Sequence, residues 1–158
     1  MKKSGIFLGI IFAIIYTSKG QTPELNLKIV NYVNSQIGRK VNRGECWDLA
    51  YEALNQNNCE WDGMYIFGKK INAKNDVVYP GDILQFTNVT IKYTSNGVVY
   101  TESYKHHTAI IFKVISLGVY EIAHQNNGFS GKKVGISDLI LSNKTTGTIE
   151  IYRPQEKK

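Results

Sequence analysis

Cysteine, proline and histidine are scarce in this chain, with two, three and three residues among 158. The two cysteines, Cys46 and Cys59, form no CxxC pair, and the sequence holds no HExxH, so the usual spacings of a zinc site are absent. No dense run of Lys and Arg occurs, which removes the electrostatic footprint of a nucleic-acid binder. The longest apolar run, GIFLGIIFAIIY (residues 5–16), has 12 residues, too few to cross a bilayer as a helix. Internal repeats and low-complexity linkers are also missing, so one domain is expected.

That apolar run has a different meaning. Lys2 and Lys3 precede it and SKG (residues 18–20) follows it, a basic, apolar and small-residue order that predicts a signal peptide over 1–20. No cysteine follows the run, so a lipid anchor is not expected. Cleavage leaves 138 residues, enough for one real core, and removes three lysines, lowering the formal charge from +6 to +3. The expectation is a secreted or periplasmic protein, monomeric, with no stable membrane anchor after cleavage. The mild positive charge permits an anionic polymer as a partner without identifying one.

Within residues 21–158 the period of the apolar positions changes once. Leu25, Ile29, Val33 and Ile37 recur at helical spacing behind Pro23. A second helix begins at Cys46, with Cys46, Leu49, Ala50, Ala53 and Leu54 on one face and Asp48, Glu52 and Asn55 off it. That helix would hold the Cα atoms of Cys46 and Cys59 roughly 18–20 Å apart. A disulfide needs about 4.4–6.8 Å, so no bridge is expected. From Val77 onward the pattern is that of strands. A bulge is expected near Thr87–Asn88, where the apolar parity changes, and a hairpin turn at Asn96–Gly97. HHTAIIFKVI is a buried strand, VYEIAHQN returns beside it, SDLILS reads as a short helix capped by Ser137, and GTIEIYRP closes the sheet. Helices first and an antiparallel meander afterwards make an α+β domain.

All three histidines, His106, His107 and His124, lie in two consecutive strands. If the turn between those strands has two residues, Leu117 and Gly118, then His107 shares a sheet face with His124 and Asn126. A three-residue turn places His106 there instead. The spacing alone leaves both open. A cysteine at a helix start, followed by a strand that begins with histidine and a strand that carries a polar orienter, is the layout of a thiol hydrolase. A thiolate near neutral pH needs a helix N-terminus and a neighbouring imidazolium. The imidazole in turn needs a third group to fix its tautomer.

At these residues the chain resembles the CHAP domains (cysteine, histidine-dependent amidohydrolase/peptidase) within the NlpC/P60 group of papain-like folds. GECWDLA resembles the nucleophile helix, YPGDILQF the Pro-Gly-Asp-Ile strand, HHTAII the His-x-Ala-Ile strand, and EIAHQN the strand that assists the histidine. The likeness spans residues 28–128. It implies an α+β fold with N-terminal helices packed on an antiparallel sheet, and residues 21–158 as one CHAP/NlpC-P60-like domain. It implies Cys46 as nucleophile, selects His107 over His106 as base, and makes His124 (where Glu is usual) and Asn126 the orienting residues. It implies no cofactor or metal, and as substrate a peptide or an amide bond of peptidoglycan, in the stem peptide or at the muramoyl–alanine link. Two other activities are compatible with the same scaffold: a non-catalytic module binding glycan or peptide, and a thiol acyltransferase.

Overall fold

A computed structural model describes residues 21–158; the predicted signal peptide over 1–20 lies outside the described residues. Two helices open the domain. Helix α1 (Glu24–Gln36) buries Leu25, Ile29 and Val33, one stripe at helical spacing. Helix α2 (Cys46–Gln56) buries Leu49, Ala50, Ala53 and Leu54 as expected; Cys46 on the same face is half-buried, and Asp48, expected off that face, is buried.

The strands follow. A small sheet pairs β1 (Cys59–Glu60) with β8 (Gln155–Glu156). The main sheet has β2 (Lys69–Ile71), β3 (Ile83–Ser95), β4 (Val98–Ser116), β5 (Val119–His124), β6 (Gly135–Ile140) and β7 (Lys144–Arg153). Its order is β2-β7-β3-β4-β5-β6, with every neighbouring pair antiparallel. Side chains alternate across it, so it has two buried faces. The helices cover Ile83, Ile110, Ala123 and Tyr152 on one. Leu84, Phe86, Ala109, Ile111, Tyr120, Ile122 and Leu139 form a second core on the other. At about 1.5–3 kcal/mol for each fully buried large aliphatic side chain, these two layers are the main favourable term of the fold.

Register decides which histidine faces which core. The β4–β5 turn has two residues, Leu117 and Gly118, with Ser116 opposite Val119 and Gly118 at φ +77°. Two irregularities in β4–β5 then shift the register by two positions in all, to Ile110 opposite Ala123. A shift of two leaves every side chain on its original face. The bulge expected at Thr87–Asn88 is present: Asn88 has φ +52°, and the register against β7 shifts between Thr87 and Thr90.

Residues 137–140 of SDLILS are strand and not the expected helix, while Leu141 and Ser142 enter a single 3-10 turn (Leu141–Asn143). The four strand residues belong to β6 and pair residue for residue with β5, Ser137 opposite Ile122. The exposed edge of β5 offers a full row of backbone partners, and Leu139 gains burial against Tyr120. Local helical propensity cannot match that gain over six residues. Among the described residues no helix is long and apolar enough to cross a membrane.

Candidate active site

The site is built around the start of α2. Gln125, fully buried just past the end of β5, clamps the loop that leads into the helix. Its amide nitrogen donates to the carbonyls of Val41 (3.0 Å) and Glu45 (2.8 Å), and its oxygen accepts the Val41 N–H (3.2 Å). Gly44 passes so close to Lys132 that an added Cβ would lie 2.7 Å from the Lys132 Cβ, and its φ is +80°. Asp48 closes the turn from below by accepting the N–H groups of Arg43 (3.0 Å) and Glu45 (3.1 Å) and the Arg43 guanidinium (2.7 Å). Burial alone would raise the Asp48 pKa, but these donors outweigh it and hold the carboxyl below its usual range. Trp47 points away, packs on Tyr51 and Trp61 and donates to the carbonyl of Met64 at 2.6 Å, as part of the core.

Cys46 is therefore fixed as the first residue of α2, and it is half-buried. The part of β4 that acts on its thiol is the backbone N–H of Thr108, the residue after His107. Burial raises the thiol pKa, and the backbone N–H groups of Thr108 and Trp47 oppose that only in part. Cys59, also a free thiol, is buried near Glu156, and its pKa is pushed up to about 11 by desolvation first and that charge second.

His107 and His124 are brought together. The Nε2 of His107 lies 2.8 Å from the Nδ1 of His124, and the Nε2 of His124 lies 2.8 Å from the Ser137 hydroxyl. The result is a relay of three side chains, one from each of β4, β5 and β6. The His107 ring is held between Tyr104 (centroids 4.5 Å apart) and Phe86 (5.6 Å). Both imidazoles are 3 % exposed. Burial drives His107 down to about 3, with help from the neighbouring His124, and burial likewise drives His124 down to about 4. Both rings are neutral near pH 7, so each nitrogen pair carries one proton along the relay, and its direction is set by the tautomers.

The thiol and the relay are adjacent but not joined. Among the described residues, neither the Cys46 sulfur nor the Nδ1 of His107 makes a side-chain hydrogen bond. Helix α2 covers the face of Ile110 and Ala123, whereas the His107 ring lies on the face of Ala109 and Phe86. The sequence leads one to expect a single histidine that both pairs with His124 and serves the thiol; here His107 pairs with His124 without a hydrogen bond to the thiol. His106 takes the other parity, is exposed and stacks on Tyr65 at 5.9 Å.

Asn126 is not part of the relay, which corrects its expected role as an orienting residue. β5 ends at His124, and Asn126 takes a left-handed φ of +58°, so the strand's alternation no longer directs its side chain. Its amide donates instead to the Glu45 carboxylate at 2.6 Å, beside Lys132 at 3.0 Å. Ser137, which meets the far nitrogen of His124, is not among the site residues expected from the sequence, because a helical reading of SDLILS separates it from the sheet. Gln125 is not among them either. A buried glutamine between two candidate site residues is the one sign the sequence offers. No group of three or more His, Cys, Asp or Glu among the described residues is arranged to hold a metal ion.

A helix-borne cysteine against an antiparallel sheet that carries a paired histidine defines a cysteine-proteinase fold. Residues 24–158 match the family model of the AIM3/BBC1 cysteine proteinase-fold domain, and the chain belongs to that family. It is 28 % identical over 147 residues to altered inheritance of mitochondria protein 3 of the yeast Debaryomyces hansenii, a match that takes in 80 % of this chain and 15 % of that protein. The chain thus spans a small part of the curated relative. Two crystal structures of a protein called Ly7917 are also similar. The one with "the hydrolyzing product of MDP" is 20 % identical, covers 82 % of this chain and 63 % of the other, and gives a TM-score of 0.45. The second is 18 % identical, covers 80 % and 62 %, and gives 0.46. The relationship to a yeast protein named for mitochondrial inheritance, a process inside the cell, overturns the expected secreted or periplasmic location.

Proposed function

We propose that this domain is a cysteine-dependent hydrolase of peptide-type amide bonds, of the CHAP/NlpC-P60 kind. Cys46 is the nucleophile, His107 its general base, and His124 and Ser137 hold the base. The observation that carries this reading is the bond from the Nε2 of His107 to the Nδ1 of His124. It leaves Nδ1 as the nitrogen of His107 without a side-chain partner among the described residues, able to take a proton in the tautomer that donates Nε2–H to His124. The next residue is Thr108, whose backbone N–H acts on the thiol.

A raised thiol pKa and lowered imidazole pKa values favour the uncharged pair at rest. Proton transfer then accompanies attack and does not precede it. The Cys46 sulfur bonds to the substrate carbonyl carbon as its proton passes to the Nδ1 of His107. The Nε2–H of His107 is donated to His124, and the Nε2–H of His124 to Ser137. Collapse of the tetrahedral species expels the amine, which takes the proton from Nδ1. Water, deprotonated by the same nitrogen, then releases the acyl group and restores the thiol. The backbone N–H of Cys46, an unpaired donor at a helix start, suits the developing oxyanion.

Peptidoglycan stem peptides and the muramoyl–alanine link are the narrower substrates that the CHAP likeness implies. The test is digestion of a mixed peptide library and of purified peptidoglycan, with released ends identified by mass spectrometry. Cleavage that disappears in Cys46→Ala supports the proposal, and its absence on both substrates overturns it. A non-catalytic peptide-binding module is the second reading. The missing thiol–imidazole bond favours it, and it predicts saturable peptide binding with no cleavage.

A further inference from the structure

Ser137 lines two adjoining clefts on the sheet face remote from the helices. One, of ≈ 400 Å³, also touches His124, Tyr104, Glu102 and Phe129. The other, of ≈ 490 Å³, is bounded by Ile91, Tyr93, Glu102, Phe129 and Asp138. Cys46 borders neither. The hydroxyl of Ser137 is thus open to a ligand while it sits 2.8 Å from the Nε2 of His124. The other nitrogen of His124 is 2.8 Å from His107. A hydroxyl, a base within hydrogen-bond reach and a third group that orients the base are the parts of an activated serine.

We propose that Ser137 is a second nucleophile of this domain, with His124 as its general base and His107 orienting that base, and that it takes acyl esters from these clefts. The clefts favour neutral or cationic acyl groups. Glu102 and Asp138 are their charged members, and neither wall holds a Lys or Arg, although the chain as a whole is basic. Tyr93 and Tyr104 both donate to the Glu102 carboxylate (3.1 and 2.7 Å) and hold it in place. Phe129, 80 % exposed at the mouth, adds apolar and cation-facing surface. β6 is the edge strand of the sheet, so alternate backbone N–H groups beside Ser137 point outward and suit an oxyanion.

In the reaction, the Ser137 Oγ bonds to the ester carbonyl carbon and its proton moves to the Nε2 of His124. The Nδ1–H of His124 remains donated to the Nε2 of His107. The C–O bond of the ester breaks, the departing alkoxide takes the proton from His124, and water reverses the sequence to free the acid. This requires the opposite tautomers from those that serve Cys46. One pair of imidazoles can serve a thiol at one end or a hydroxyl at the other, not both at once.

The experiment treats the Cys46→Ala chain with a fluorophosphonate probe and locates the adduct by peptide mass spectrometry. With the thiol gone, failure of the amide-hydrolase reading does not affect the outcome. The expected result is one adduct per molecule, on Ser137, with loss of fluoride. The rate should fall about 100-fold or more in His124→Gln. p-Nitrophenyl acetate should show the same dependence. A folded Cys46→Ala protein that leaves Ser137 unlabelled, or labels it no faster than Ser103 and Ser130, overturns the proposal. So does a labelling rate unchanged by His124→Gln.

Discussion

The two faces of the main sheet bury polar groups in different ways. On the helix side, Gln125 is saturated by backbone groups and Asp48 by backbone N–H groups and the Arg43 guanidinium, and each fixes a piece of chain. On the other side, the His107–His124–Ser137 relay bonds mainly to itself and ends at a cleft. The first arrangement positions a residue; the second keeps protons mobile. A buried group with every partner filled cannot take part in chemistry, whereas an imidazole pair with one free nitrogen at its end can. Cys46 stands at the border, placed by one face and adjacent to the relay of the other.

The largest expected effect tests whether the border matters. Cys46→Ala should lower hydrolysis by about 10³-fold or more, whereas Cys59→Ala, remote from the relay, should keep most of it. Equal rates in Cys46→Ala and the parent would remove the thiol from the mechanism. Circular dichroism checks that both variants fold.

Acid comes next and acts on the relay face. Both histidines have folded pKa values, about 3 and about 4, below the ordinary 6.5. Their contribution to stability is complete above pH 6.5 and is lost as the pH falls towards those values, with a slope of at most about 1.4 kcal/mol per pH unit for each ring. The thermal midpoint should therefore begin to fall near pH 6.5, before most carboxylates titrate. His107→Gln should flatten that slope. A midpoint constant down to pH 4.5 would show that the rings are not buried neutral.

Gln125→Ala probes the helix face. It removes three buried hydrogen bonds and should cost about 2–4 kcal/mol in urea unfolding. A loss below 1 kcal/mol would mean that the loop before α2 is held by packing alone. Asn126→Ala should do least. Its one partner, the Glu45 carboxylate, is partly exposed, so about 0.5–1 kcal/mol is expected, with little change in turnover. A loss of turnover comparable to that of His124→Ala would restore Asn126 as an orienting residue.

Much of this arrangement is legible in the chain. Period 3.6 marks α1 and α2 because each has one face to bury, and Gly118 marks the short β4–β5 turn. The pairing of His107 with His124 follows from parity and survives the irregularities in β4–β5, because together they shift the register by an even number. Other features depend on tertiary partners that a pattern does not encode. Asn126 leaves the strand through a left-handed step, which parity cannot anticipate. Residues 137–140 become strand because β5 has an open edge. Which face α2 covers follows from how Ile110 and Ala123 pack, and the position of the thiol relative to His107 depends on that packing.

The charge state of the two imidazoles underlies both the thiol mechanism and the serine proposal. It is read most directly from the side-chain ¹⁵N shifts of His107 and His124 at pH 7, in protein labelled at histidine. Two neutral rings are expected, each with one protonated and one bare nitrogen, and a coupling across the His107 Nε2–His124 Nδ1 bond. Imidazolium shifts on His107, titrating together with a Cys46 thiolate, would rule out the neutral relay.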